Sequence, residues 1–343
     1  MEAPLSIAEP IAIHVEDSSH VASARGELQR MAKRLGFRET RAGTVAIVAT
    51  EAVSNIVKHA RRGTLVARSL ARRGAIGIEM LAIDSGPGME SLANSSRDGT
   101  STTGSRGTGL GAIRRQAGEF EAYTRAAGGT ILRMVVWDRD EVPAHDDYDI
   151  GAVALPKTGE SVCGDAWGVE LLKRGATILV ADGLGHGVDA SRASQSAVEV
   201  LRRHPDESAI GILDLAHSKL RSTRGAAVAV MRHELASGAV AFAGIGNISA
   251  SILNGTARRA MVSHNGILGH NVARSQEFAY EWHRQALFVA HTDGLQTQWD
   301  LASFPGIEAC HPAIIAALLV REHSRGRDDV TVVVARERAE GRQ

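Results

Sequence analysis

Five short apolar runs set the terms for the second half of this chain: ATILVA (176–181), AAVAVM (226–231), AVAFAG (239–244), ALFVAHT (286–292) and VTVVVA (330–335). Each is rich in small and β-branched residues and bounded by Gly, Asp or Asn, so each predicts a short buried strand. Helical spacing of apolar residues comes in blocks between them, at about 189–203, 207–223 and 311–322. Helices grouped between runs of strands predict α+β layers rather than a regular βαβ alternation.

The first half has a different texture. Val21, Ala24, Leu28, Met31 and Leu35 recur at helical spacing and predict an amphipathic helix over 20–36. A second helix is expected from about Arg41 to His59, with Val45, Val48, Ala52 and Ile56 as its apolar stripe. Ile76, Ile78, Met80 and Ala82 alternate and predict a strand ending at Asp84. Gly and Pro break the chain at 84–89, and the small polar residues of 91–107 predict a mobile loop. A helix start is expected near Leu110 and a strand at 131–137. The acidic, proline-bearing stretch 137–149 reads as a linker, with the boundary near residue 145.

A chain of 343 residues, 44% hydrophobic, accommodates two domains with ordinary cores. The 39 basic residues balance the 39 acidic ones, which argues against nucleic acid or an anionic membrane as partner. The N-terminus has no basic stretch ahead of an apolar one, and no run approaches the ~18 apolar residues of a membrane span, so the expected location is cytoplasmic. Cys163 and Cys310 form neither a disulfide framework nor a zinc spacing and are expected to be reduced, buried thiols.

Two groups of residues carry chemistry. In the first half, Glu51, Asn55 and Lys58/His59 share the polar face of the second helix. A carboxylate and an amide there can hold hydrated Mg²⁺, or a water, against a triphosphate. Asp84, at a strand end before Gly86 and Gly88, can accept a hydrogen bond from an exocyclic amine, and the glycines let backbone approach a planar ligand. Gly107, Gly109 and Gly111 open a helix, where N–H groups and dipole both favour phosphate. Any one of these pieces is equally what a solvated helix face or a turn-rich loop would present. The ordered set, EAV-x-N-x-x-KH, DSGPGM, GTGLG and then GGT before a strand, resembles the GHKL ATPases over about 15–140, and more narrowly the RsbT-like anti-sigma-factor serine kinases, to which 107–124 is especially similar. The resemblance implies that Asn55 ligates Mg²⁺, Glu51 orients or deprotonates the attacking hydroxyl, and Asp84 contacts adenine. Gly86 and Gly88 would shape the adenine pocket, Gly107, Gly109 and Gly111 would cradle phosphate, and Thr130 would lie near the base. No histidine-kinase phosphoacceptor helix is evident.

In the second half, Asp165, Asp182, Asp293 and Asp328 stand at turns or strand ends, where a buried carboxylate is costly unless it ligates a cation. Each Asp-Gly alone is merely a turn dipeptide. The ordered set GD, ADGLGHGVDAS, GN, TDGL and DDVTVVVAR resembles the PP2C-type phosphatases over about 148–337, closest to the SpoIIE/RsbX branch. That resemblance implies that Asp182 bridges two ions, Gly183 offers its carbonyl, Asp293 and Asp328 complete one ion, and Asp165 the other. Asp329 stands where many relatives have Asn and is expected behind the ligands. His186 either packs the turn or takes part in catalysis, and 244–253 and 266–270 are expected to shape the substrate face.

Together the resemblances imply an α+β chain: an N-terminal GHKL (Bergerat) α/β sandwich over 1–140, a linker over 141–148, and a PP2C-like α-β-β-α sandwich over 149–337. They imply a serine/threonine protein phosphatase using two Mn²⁺ or Mg²⁺ ions, with MgATP in the N-terminal domain and possible serine kinase activity there. The implied substrate is a phosphorylated STAS-domain anti-anti-sigma or stressosome protein. The alternative is a nucleotide-dependent anti-sigma or scaffold-binding module that regulates the phosphatase without kinase activity. The sequence specifies no oligomeric state.

Overall fold

The structure is a computed structural model that describes residues 10–89, 109–255, 257–272 and 275–338. The chain forms two compact units, Met1–Asp147 with Gly306–Arg321, and Tyr148–Pro305 with Glu322–Gln343.

In the first unit, strands β1 (Ile11–Val15), β2 (Gly63–Arg72), β3 (Ala75–Asp84), β4 (Glu119–Thr124) and β5 (Thr130–Trp137) form one antiparallel sheet in the order β1-β2-β3-β5-β4. Helices α1 (Ser19–Arg34) and α2 (Glu39–Asn55) cover one face. The period-2 alternation of the strands sends Leu65, Ala67, Ile78, Met80, Leu132, Met134 and Val136 to that face, against Leu28, Met31, Val45 and Val48. The opposite residues of the same strands build an ion network. Glu79 takes Arg68 Nε at 2.6 Å and Arg133 Nε at 2.7 Å, and Arg133 and Arg72 share Glu119 at 3.0 and 2.6 Å. The helix read to His59 ends differently: α2 passes at Asn55 into a π-turn, Ile56–Ala60, closed by Arg61 N–H donating to the Ile56 carbonyl at 2.9 Å. Such turns frequently mark functional sites. Helix α3 (Gly109–Gln116) begins beside the expected Leu110 start.

In the second unit, β6 (Tyr148–Leu155), β7 (Asp165–Leu172), β8 (Gly175–Gly183), β9 (Ala226–Glu234), β10 (Ala239–Ile245), β11 (Ser249–Asn254), β12 (Ala257–Met261), β13 (Phe278–Glu281), β14 (Leu287–His291) and β15 (Val330–Glu337) make two five-stranded sheets. Their orders are β13-β10-β9-β8-β7 and β12-β11-β14-β15-β6. Ile178, Val180, Met231 and Phe242 of one meet Ile252, Phe288, Ala290 and Val333 of the other in the inner core. Helices α4 (Val188–Arg203) and α5 (Ala209–Leu220) close the outer face of the first sheet with Val198, Leu201, Ile212 and Leu213. All five apolar runs are strands of this α+β architecture.

Residues 149–337 do not form one unbroken unit. Helix α6 (Pro312–His323) is buried on every side from Pro312 to Val320, as an all-apolar helix must be. Its beginning is held by His311 N–H donating to both Glu121 oxygens at 3.1 and 3.2 Å, and near its end Arg321 Nη1 donates to the Asp84 carbonyl at 2.9 Å. The pattern of 311–322 gives the helix; which apolar surface covers it is a long-range matter that the pattern does not contain. Among the described residues, no helix is long and apolar enough to cross a membrane. Cys163 and Cys310 are free, as expected, but each is only half-buried.

Candidate active sites

The second unit gathers its carboxylates at one end of its sheets. Asp165 opens β7 and is paired directly with Asp182 near the end of β8. Asp293 follows β14, Asp328 and Asp329 precede β15, and β14 and β15 are hydrogen-bonded neighbours. Gly183 N–H donates to the Gly164 carbonyl at 3.3 Å, and a Cβ on Gly183 would lie 2.0 Å from the Ala190 carbonyl, so only glycine lets α4 come this close to the strand end. Neutral side chains orient the acids. Thr292 Oγ1 donates to Asp165 Oδ2 at 2.8 Å and itself accepts Thr331 N–H at 2.9 Å, while Asn247 Nδ2 donates to Asp293 Oδ2 at 2.6 Å.

Asp165 and Asp329 are buried, Asp182 and Asp293 half-buried, and Asp328 exposed. Burial raises the Asp165 carboxyl well above the usual carboxylate range, and the neighbouring Asp182 raises it further. Asp182 is pushed up to about 7, by burial first and then by Asp293, Asp328 and Asp329. Asp293 and Asp329 are raised in the same way, by burial and then by Asp328. Like charges held together out of water retain protons or take a cation. The donor set, all oxygen and strongly acidic, fits a hard divalent ion. So does Asp329 Oδ2, a buried carboxylate oxygen that closes no full hydrogen bond. As the side chains stand, no group of three His, Cys, Asp or Glu among the described residues is drawn tightly enough together to hold an ion; the carboxylates sense one another at electrostatic range.

His186 is exposed, with Nδ1 2.7 Å from Glu160 Oε1. The Cys163 thiol is pushed far up by burial and by Asp165 and Asp329, which keeps it protonated and unreactive.

The first unit brings its expected residues together around the end of α2. A Cβ on Gly109, at the start of α3, would lie 3.0 Å from Asn55 Oδ1 and 3.2 Å from Glu51 Oε2, so the glycine-rich helix start abuts both polar side chains. Asn55 Nδ2 is buried without a hydrogen-bond partner. Gly111, two residues further along α3, is buried. Asp84 Oδ1 accepts the N–H groups of Gly86 at 2.8 Å and Thr130 at 3.2 Å, which fixes the carboxylate at the strand end. Burial raises Asp84 above the usual range, against these main-chain bonds and Arg321. Gly88 packs against the Arg125 carbonyl, and Thr130 Oγ1 lies 3.2 Å from Thr124 Oγ1. Lys58 and His59 lie within the π-turn, which takes them off the α-helical register of Glu51 and Asn55. Gly107 and the loop expected at 91–107 lie outside the described residues.

Sequence reasoning missed Thr292 and Asn247, whose motifs (HTDG and GN) are visible but whose partners are distant in sequence. It also missed Arg321, which carries no local signal.

Residues 15–136 match the family described as Histidine kinase-like ATPase domain, and residues 173–338 match Stage II sporulation protein E (SpoIIE). The chain is 23% identical over 143 residues to phosphoserine phosphatase RsbX of Bacillus subtilis (strain 168), covering 41% of this chain and 71% of that protein. A solved structure reported under "The bacterial stressosome: a modular system that has been adapted to control secondary messenger signaling" is 30% identical, with a TM-score of 0.53 over 56% of this chain and 100% of its own. A crystal structure of RsbX in complex with magnesium, 19% identical, shares the fold at a TM-score of 0.50 over 58% of this chain and 99% of its own. Residues 173–338 thus carry a PP2C-type serine/threonine phosphatase domain of the SpoIIE family, and residues 15–136 ahead of it carry a histidine kinase-like ATPase domain.

Proposed function

We propose that this phosphatase hydrolyses phosphoserine or phosphothreonine with two Mn²⁺ or Mg²⁺ ions, and that its substrate is a phosphorylated STAS-domain protein of a bacterial partner-switching or stressosome circuit. The observation that carries the metal assignment is the direct pairing of Asp165 with Asp182 beside Asp293, Asp328 and Asp329, where Asp182 senses three other carboxylates. Asp182 would bridge the ions, the Gly183 carbonyl and Asp165 would serve one, and Asp293 and Asp328 the other. Bound there, such cations bind phosphate and make a coordinated water nucleophilic near neutral pH. The chain's own part is orientation: Thr292 aims Asp165, Asn247 aims Asp293, and Gly183 lets helix α4 approach the site. The likeness to phosphoserine phosphatase RsbX and to a stressosome structure supports a phosphoserine substrate in such a circuit, for which the expected setting is cytoplasmic.

In the same reading MgATP binds the first unit, with Asn55 on Mg²⁺, Asp84 on adenine flanked by Gly86, Gly88 and Thr130, and Gly107, Gly109 and Gly111 on phosphate. The contact of Gly109 with Asn55 and Glu51 supports this. Glu51 would position or deprotonate an attacking hydroxyl.

The test is Mn²⁺-dependent phosphate release from a phosphoserine protein. Asp182→Asn should lose at least a hundredfold in turnover while keeping its fold. Wild-type turnover in that variant, or full activity in excess EDTA, defeats the two-ion assignment.

A second reading of the first unit, nucleotide binding that regulates the phosphatase without kinase activity, is favoured by one observation. Residues 306–321 lie in sequence between Asp293 and Asp328, yet Arg321 is bonded to the carbonyl of Asp84. Glu51→Gln separates the two. Lost phosphoryl transfer with retained ATP binding supports the kinase, and no transfer by the wild-type protein to any STAS partner supports the regulator.

A further inference from the structure

The second aspartate of the DDVT motif is more than a support for the first. Asp329 is 3% exposed, deeper than any other acid of the cluster, whereas Asp328 beside it is exposed. Its two oxygens differ. Oδ1 accepts the Lys157 N–H at 2.8 Å, which anchors the side chain. Oδ2 is buried and closes no full hydrogen bond; beside it only the Gly164 main chain acts, against the effect of burial, to lower the carboxyl's pKa. A buried carboxylate oxygen left unpaired costs free energy comparable to a lost charged hydrogen bond, so such an oxygen needs an occupant.

The surroundings say where that oxygen points. A Cβ built on Gly164 would lie 2.6 Å from Asp329 Oδ2, so the free oxygen rests directly over Gly164, and a side chain there would cover it. Gly164 immediately precedes Asp165, and its carbonyl accepts the N–H of Gly183. Asp165 is paired across the strands with Asp182. Asp329 Oδ2 therefore lies at the strand end that carries Asp165, whose cross-strand partner is Asp182. Both Asp165 and Asp182 sense its charge.

We propose that Asp329 is itself a metal ligand, its Oδ2 entering the shell of the cation held by Asp165, Asp182 and the Gly183 carbonyl, so that this chain binds its ions with five carboxylates. The proposal rests on the two-ion reading above. It predicts tighter binding of that one ion than an asparagine at this position would allow, because an amide oxygen brings no charge.

The experiment is Mn²⁺ titration of the full chain, read as bound against free ion by electron paramagnetic resonance, with no substrate or turnover involved. The variants are Asp329→Asn, which keeps an oxygen for the Lys157 N–H, and Asp329→Ser, which removes both carboxylate oxygens. Each is compared at matched metal-free circular dichroism. The expected result is two ions in the wild type, with one weakened at least tenfold in each variant and the other within twofold of wild type. Binding of both ions by Asp329→Asn at wild-type affinity overturns the ligand role and leaves Asp329 a support of the Lys157 segment, with the two-ion reading intact. A wild-type chain that takes up no Mn²⁺ overturns both at once.

Discussion

Asp182, proposed above to bridge the ions, is a liability to the metal-free fold. Its carboxyl is raised to about 7 by burial and by Asp293, Asp328 and Asp329, whereas in an unfolded chain it titrates near 3.8. The folded protein therefore keeps a proton that the unfolded chain has released over this window. Stability of the metal-free protein falls as pH rises from about 4 to about 7, and stays lowered above. Asp182→Asn removes this penalty. In EDTA the variant should match the wild type near pH 4 and melt higher at pH 8, by roughly 2–4 °C, which is what ~1 kcal/mol gives a domain of this size. Equal melting curves at pH 8 would show that the cluster costs the fold nothing. The motif DGLGHG pointed to Asp182 directly. Thr292 and Asn247 could not be assigned from sequence, because each is defined by the carboxylate it orients, and that carboxylate arrives from another strand.

At the scale of the element, the sheet of the first unit illustrates what alternation does and does not reveal. Period 2 gives the helix-covered face of β2, β3 and β5. The other face carries Glu79 between Arg68 and Arg133, all three buried. Burial alone would push Glu79 up, but the two guanidiniums outweigh it and hold the carboxyl below its usual range. The ion network therefore persists under mildly acidic conditions and is lost only as pH falls through that lowered value. Glu79→Ala leaves two buried cations with too little counter-charge and should destabilise the first unit by about 3–5 kcal/mol in urea unfolding. A loss under ~1 kcal/mol would mean that water reaches the stranded guanidiniums. Strands β1, β2 and β4 were not legible beforehand. Charged residues such as Arg68, Arg72 and Glu119 interrupt the apolar pattern of β2 and β4, and they do so because their partners lie on other strands of the sheet.

At the scale of the whole molecule, the chain crosses from one unit to the other more than once. Helix α6, between the segments bearing Asp293 and Asp328, has Arg321 on the Asp84 carbonyl, and a Cβ on Gly129 would lie 2.9 Å from the same guanidinium. On the proposed reading, nucleotide at Asp84 would lie beside a residue of the helix that leads on to Asp328. ATP is expected to change Mn²⁺-dependent phosphate release severalfold in the wild type, and Arg321→Ala should abolish that response while leaving ATP binding detectable by calorimetry. An unchanged ATP response in Arg321→Ala would remove this arginine from any coupling.

The sequence by itself determined the two sets of chemistry-bearing motifs, their order, the strand character of five apolar runs and the α+β class. These are local properties: turn residues, hydrophobic period and charge at strand ends act over a few positions. Only the tertiary structure decided that 306–321 packs with the first unit, that Asn55 runs into a π-turn, and that Asp329 turns inward while Asp328 stays exposed. Each of these depends on which surface a segment meets after the chain has closed over long sequence distances. Adjacent aspartates that look alike in sequence are separated by burial, and burial is a property of the assembled sheets.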